Sequence, residues 1–245
     1  MRLFIKTALG VLSTILVSSC SSNFIYGPGN LGSGTRFLLK PANKDSIHHS
    51  HNLSASYSFN QGDGYNFDER NRYADVFYHL GYSRKYFSCA AGTGLFGGSY
   101  EVNKFFPSRG WKRYYGITGI GEAALNIPLG NLNWRIVGIR GSVTSEGGDF
   151  YDFRIKNKSY PGFINYTSGR TTGTVGTFSE LDLKLGNYRL GFGQSNSLVL
   201  AQERILGYCV GISGHFTYKR TTAIYQLLGS TWQGNSMNVG ISYRL

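Results

Sequence analysis

Proline and acid are both scarce in this chain. Five prolines in 245 residues leave most backbone N–H groups free for a hydrogen-bonded ladder, because proline is confined to sheet edges, strand starts and bulges. Thirteen Asp and Glu stand against twenty-five Lys and Arg, a formal charge of +12, which excludes an acidic solvating chain. After Cys20 there is no apolar run of about 18 residues, so no later segment can span a bilayer as a helix. Mean hydropathy is slightly negative. That argues against a helical membrane protein but not against a barrel, whose strands are only half apolar. Cysteine is scarce: Cys20, Cys89 and Cys209. By alternation Cys89 falls on the apolar face of its strand and Cys209 on the polar face of another. Their side chains point to opposite sides of a sheet, so no disulfide is expected.

What is abundant is glycine, 34 residues, and aromatic side chains at 15%, set in alternating apolar and polar runs. Ten such runs are legible, at 51–60, 72–84, 86–101, 113–127, 132–146, 173–186, 188–200, 205–218, 222–232 and 236–245. In "YADVFYHLGYS" one face carries Ala74, Val76, Tyr78, Leu80 and Tyr82 and the other Asp75, Phe77, His79, Gly81 and Ser83. In "LNWRIVGIRGSV" Arg135 and Arg140 fall on opposite faces, which points to a bulge or to a strand running beyond the membrane. "PLGNLNW" and "KLGNYRL" each place Gly-Asn between two alternating runs, a tight-hairpin signal. Arg84-Lys85 and Lys219-Arg220 mark two more short links. These alternate with wider connections at 61–71, 102–112 and 147–172, as expected of short periplasmic turns and longer outer loops. The expected fold is all-β: a single antiparallel up-and-down transmembrane β-barrel of about ten strands. Its runner-up is a soluble β-sandwich on a lipid anchor. An even strand count puts both ends in the periplasm.

The two ends of the chain name a class. "MRLFIKTALGVLSTILVSSC" has Arg2 and Lys6, an apolar stretch from Ala8 to Val17 and small residues before Cys20, the layout of a secretory signal. "VSSC" resembles the lipobox of bacterial lipoproteins. That resemblance implies cleavage before Cys20 and acylation of its thiol and new amine, with diacylglycerol and an N-acyl chain. Cleavage removes residues 1–19, hence Arg2 and Lys6 and no acid, and lowers the formal charge from +12 to +10. At the other end "NVGISYRL" resembles the signal by which barrel-assembly machinery recognises its substrates, through Asn238, Gly240, Tyr243 and Leu245. Together they resemble lipid-anchored outer-membrane β-barrel proteins of Gram-negative bacteria. The expected organisation is a signal peptide at 1–19, a lipidated periplasmic tether at 20–50 and a barrel at 51–245. No cofactor beyond the acyl chains is implied.

Assigning each polar face inward collects Asp75, His79, Glu122, Arg135, Glu180, Asp182, Lys184, Arg189, His215, Gln226 and Arg244. Small barrels are filled by side chains, so these are expected to form a charge-paired lumen. Glu122 or Asp182 beside His79 or His215 is the general acid–base alternative, but no spacing motif ties them together. His48, His49 and His51 offer imidazoles, two on one strand face, yet no cysteine or carboxylate pattern completes a metal site. "NKFFPSRGWKRYY" places Phe105, Phe106 and Trp111 among Arg109, Lys112 and Arg113, an aromatic and cationic rim suited to anionic head groups such as lipopolysaccharide. Loop 147–172 holds six aromatics, Tyr151 and Tyr160 among them, and reads as a hairpin extension, a lid or a partner surface. Nucleic acid is excluded by location. The expected role is a non-enzymatic accessory or scaffold subunit with an outer-membrane protein partner. A narrow pore or small-solute transporter and a barrel hydrolase acting on lipid or peptide are the alternatives.

Replacing Cys20 by Ala is expected to abolish lipid labelling of the mature protein. Mass spectrometry of its N-terminal peptide checks this, and acyl mass persisting in the variant would refute the lipobox reading.

Overall fold

The computed structural model describes residues 34–41, 47–61, 70–102, 109–157, 169–201, 204–230 and 234–245. Ten strands form: β1 (His48–Gln61), β2 (Arg70–Arg84), β3 (Phe87–Val102), β4 (Gly110–Leu129), β5 (Leu132–Gly147), β6 (Thr171–Leu185), β7 (Tyr188–Ala201), β8 (Arg204–Tyr218), β9 (Thr221–Ser230) and β10 (Gly234–Arg244). Each pairs antiparallel with its chain neighbour, and β10 pairs with β1 to close a barrel. The closing register runs from Asn52 opposite Arg244 to Asn60 opposite Ser236. The Leu245 N–H donates to the His51 carbonyl at 2.9 Å. Closure leaves no strand edge unpaired, the condition for placing a sheet in hydrocarbon.

The pleat sorts the residues inside out relative to a soluble domain. Along β2 exposed and buried positions alternate almost without a break. The outward side chains are apolar and bare: Val76, Leu95, Ile117, Ile139 and Phe192 are each at least half exposed. The inward ones are largely Ser, Thr, Asn and charged groups. An apolar belt around the whole circumference is the surface expected of a membrane barrel. On β2 the outward face runs from Arg72 to Tyr82. That is about 33 Å of strand, or about 25 Å of height at the usual tilt. Tyr86, Phe87, Tyr188, Phe216 and Tyr218 form an exposed aromatic girdle at the tight-turn end.

The Gly-Asn signals are two-residue turns. Leu129 pairs with Leu132 and Leu185 with Tyr188, and Gly130 and Gly186 take φ of 64° and 60°. Glycine at the first central position is what a type II′ turn requires. The irregularity in β5 is a bulge. The register slips between Leu125 and Asn126 against β4 and between Arg135 and Gly138 against β6. Ile136 and Val137 therefore both face outward, and Arg135 and Arg140 both face inward, buried. Cys89 is half-exposed and Cys209 buried, and both are free thiols.

Two expectations are corrected. The segment after β5 does not extend its strand as a hairpin: it forms a helix, α1 (Asp149–Lys156). Phe150 and Phe153, three apart, share one helical face and bury it against Tyr73, Phe96, Val102 and Tyr114 inside the barrel. Asp149 and Asp152 lie in its first turn and Arg154 and Lys156 in its last, the order that suits the helix dipole. Nor do residues 34–41 belong to a tether outside the barrel. They run through it, and Thr35 to Lys40 are all buried.

Gly138 is required where it stands, because the Phe178 ring occupies the space a β-carbon would fill. Gly138→Ala is expected to lower stability by roughly 1–3 kcal/mol, the usual cost of overpacking. Gly119→Ala, open to the outside, should leave the thermal unfolding of the detergent-solubilised barrel unchanged.

Candidate functional site

The site is the lumen, and residues 34–41 are its organising element. The carbonyl of Gly34 accepts from Thr174 at 3.2 Å, and that of Thr35 from Gln226 at 2.8 Å and Arg140 at 3.2 Å. Further along, the carbonyl of Leu39 lies 3.1 Å from His79 Nε2, and that of Lys40 accepts from Arg189 at 2.8 Å. Thr174 is the fourth residue of β6, near the end opposite the tight turns, His79 and Gln226 lie five residues from the tight-turn ends of β2 and β9, and Arg189 is the second residue of β7, next to a tight turn. The segment thus descends from the middle of the barrel to its tight-turn end. Its backbone belongs to no strand, so wall side chains satisfy its carbonyls, as burial demands.

Its side chains complete the wall's electrostatics. Arg36 pairs with Asp75, whose same oxygen accepts from Ser56 at 2.7 Å. Lys40 pairs with Glu122 and lies 3.3 Å from Glu180. Around these, Arg140 holds Glu122 at 2.7 Å. Arg135 holds Glu180 at 2.7 Å and Asp182 at 3.2 Å, and Arg189 binds Asp182. Five cations face four carboxylates, all nearly sealed from solvent. Two of the five cations come from the segment, so the wall alone would hold four carboxylates and three cations. Phe178 lies between Lys40, 4.8 Å from its ring centre, and Arg140 at 5.1 Å, a further cation–π contribution. Phe37 stacks on His215 at 5.1 Å, and Leu38 packs with Phe77, Ala90 and Ile120.

The structure brings Asp75, His79, Glu122, Arg135, Glu180, Asp182, Arg189 and His215 together, as strand alternation places them. Lys184 and Arg244 are corrections: both are exposed, because they occupy the last residues of β6 and β10, and alternation fixes a face but not a depth. Arg36, Lys40 and Arg140 were missed. Arg140 was hidden by the bulge. The other two were legible only as an Arg and a Lys flanking "FLL" in a stretch without strand alternation.

Chemically, the lumen is neutralised and occupied. His79 is committed to the Leu39 carbonyl, and His215 Nε2 lies 3.8 Å from Asp182. Glu180, Asp182 and His215 bring ligand atoms within 4.8 Å of one another. Both carboxylates, however, already bind Arg135, Arg189 or Lys40, so a dication there would deepen an existing excess of positive charge. His49 and His51 point outward and are exposed. Their partners are Tyr82, at 5.3 Å between rings, and the Tyr78 hydroxyl at 2.7 Å.

The outer end is capped over β2 to β5. Phe150 stacks on Tyr100 at 4.3 Å, and buried Arg154 pairs with Glu146. Tyr151 is half-buried, with Arg170 4.9 Å from its ring. Trp111 is exposed with Arg72 at 5.3 Å from its ring. Lys112 reaches Phe153, and Arg109 and Arg113 are exposed. Phe105, Phe106 and Tyr160 lie outside the described residues.

Neither a protein-family model nor a curated protein matches the chain. Among solved structures it is similar to the β domain of the Bordetella autotransporter BrkA, at 11% identity and a TM-score of 0.44, over 81% of this chain and 100% of that one. It is similar to the translocator domain of the autotransporter NalP from Neisseria meningitidis, at 11% identity and 0.38, over 83% and 90%. The outer membrane protease OmpT from Escherichia coli matches at 11% and 0.34, over 82% and 97%.

Removing one partner of a buried ion pair typically costs about 3–5 kcal/mol, while replacing both by apolar groups can be neutral. Asp75→Ala is therefore expected to destabilise the barrel by about that amount. The double variant Arg36→Met with Asp75→Ala should recover most of the loss in a melting series. Equal melting of the single variant and the parent would show the pair to be dispensable.

Proposed function

We propose that this chain is a closed, non-enzymatic barrel of the bacterial outer membrane, anchored by acyl chains on Cys20 and serving as a scaffold subunit of an outer-membrane complex. One observation carries the closed reading: residues 34–41 fill the lumen and supply two of the five cations that hold Asp75, Glu122, Glu180 and Asp182. A conducting path needs continuous water, and the segment instead packs apolar and charged side chains against the wall. A hydrolase needs an acid–base pair free to accept and return a proton. Here every lumenal carboxylate is held by Arg or Lys, and His79 holds a carbonyl. The outward apolar belt, the closed antiparallel sheet and the tight turns at one end support the outer-membrane assignment. The exposed Trp111, Arg109 and Arg113 at the opposite rim suit contact with lipopolysaccharide head groups.

Reconstituted in planar bilayers, the full chain is expected to show no unitary current steps. The same barrel lacking residues 34–41 should show them. Current through the intact chain would overturn the closed reading in favour of a pore. Purification in mild detergent tests the scaffold role: a partner at fixed stoichiometry supports it, and a monodisperse barrel without a partner refutes it.

A further inference from the structure

We infer that the outer wall of β2 to β6 holds one phospholipid of the periplasmic leaflet, its acyl chain lying in a groove that crosses the strands. The inference rests on the outer-membrane reading above.

The groove opens outward and has a volume of about 810 Å³. It follows two neighbouring rows of the pleat. The upper row runs from Leu80 through Ala91, Gly121 and Gly141 to Val175. The lower runs from His49 and Tyr82 through Cys89 and Ala123 to Ile139. The middle of each row is small, and larger side chains stand at its ends. Val76, Leu95, Ile117, Leu125 and Val143 stand exposed around it. The barrel's own packing does not call for the hollow. A β-carbon on Gly121 would meet no atom within 4 Å, and one on Gly141 only the Thr174 carbonyl at 3.8 Å. Neither glycine takes a positive φ. Glycine inside a strand weakens it and often marks a place where something approaches the backbone closely.

Direction, width and charge name the occupant. Tyr82 lies two residues from the tight-turn end of β2, whereas Val175 lies ten from that of β6. From β1 to β6 is five strand spacings. Across strands tilted by about 35–45° that path rises roughly 15 Å, the depth of one leaflet in a hydrocarbon core about 30 Å thick. The groove thus starts at the periplasmic interface and ends at the midplane, as an acyl chain does. Rows on one face stand about 7 Å apart, too narrow for a helix about 10–12 Å across. The floor's backbone is bonded into ladders on both sides, which leaves no backbone polar group for a protein partner. At the low end Arg84 follows Tyr82 on the outward face, and exposed Lys85 stands in the turn after it. Two cations at that level suit a lipid phosphate.

The test reconstitutes the full-length protein in vesicles containing phosphatidylglycerol with a diazirine at the end of one acyl chain, and maps the crosslinked peptides. Crosslinks concentrated on β5 and β6 around Gly141 and Val175 are expected. Crosslinks spread evenly around the belt overturn the inference. Ala91→Leu with Gly121→Val fills the groove and should remove that concentration without lowering the melting temperature. Ala74→Leu, outward on β2 beyond the groove, should leave it in place. Unchanged crosslinking in the filled variant overturns the inference, and if that variant does not fold, Gly141→Val is read the same way. A diacylglycerol with the same diazirine lacks the phosphate and should label β5 and β6 less, a difference that Arg84→Gln with Lys85→Gln should abolish. Equal labelling by the two probes in the parent overturns the phospholipid assignment. Labelling that appears only in Cys20→Ala gives the groove to the chain's own acyl groups. A dimer in mild detergent that the filled variant dissociates gives it to a second copy, and either result overturns the inference. A folded, heat-modifiable barrel that does not float with the vesicles removes the membrane reading and the inference with it. One that floats but is labelled evenly removes the inference alone.

Discussion

The structure depends on one constraint: carboxylates sealed inside a closed sheet must be neutralised by cations brought in with them. Around residues 34–41 four acids project from the wall at Asp75, Glu122, Glu180 and Asp182, and among the described residues the wall there answers with Arg135, Arg140 and Arg189. Buried charge without a partner is costly. The deficit is met from a part of the chain that belongs to no strand. Arg36 and Lys40 are spaced so that one reaches β2 and the other reaches β4 and β6. The three residues between them pack in the gaps. The barrel is in this sense an incomplete core that its own N-terminal extension finishes.

Most of the wall was legible because a membrane barrel writes its pleat directly into the sequence. Strands such as β2 alternate so regularly that the face of Asp75 and His79 follows from counting, and the Gly-Asn turns fix where one strand stops and the next starts. The failures share a cause: period-2 counting carries no information on depth, on phase slips or on segments without a partner strand. Lys184 and Arg244 have the right face at the wrong height. Arg140 has the right depth but is shifted out of phase by the extra residue at Ile136 and Val137. In "FYDFRIK" the i, i+3 pair Phe150 and Phe153 signalled a helical face, and the surrounding aromatics masked it as strand. Residues 34–41 form no ladder, so no periodicity announces them. Only the unusual presence of three consecutive apolar residues between two cations does.

The two ends of the lumen are closed by different physics. Near the tight turns the seal is electrostatic, built from ion pairs and carbonyl contacts that are strong only while dry. At the outer mouth it is aromatic, with Phe150 and Phe153 of α1 pressed on Tyr73, Phe96 and Tyr114. Tyr114 also donates to Asn71 at 2.5 Å, which ties that cluster to the wall.

Encirclement of residues 34–41 also constrains the order in which the molecule can be made. The segment touches nine strands, and β1 begins only a few residues after it, yet the ring closes only where β10 meets β1. A sheet already zipped from β1 to β10 would have to admit a charged, bulky segment end-on. An open sheet can instead curl around it. Curling in that way lets the pairs at Asp75 and Glu122 form while the wall is still open. On this view the segment is less a stopper fitted to a finished tube than the former on which the tube is wound.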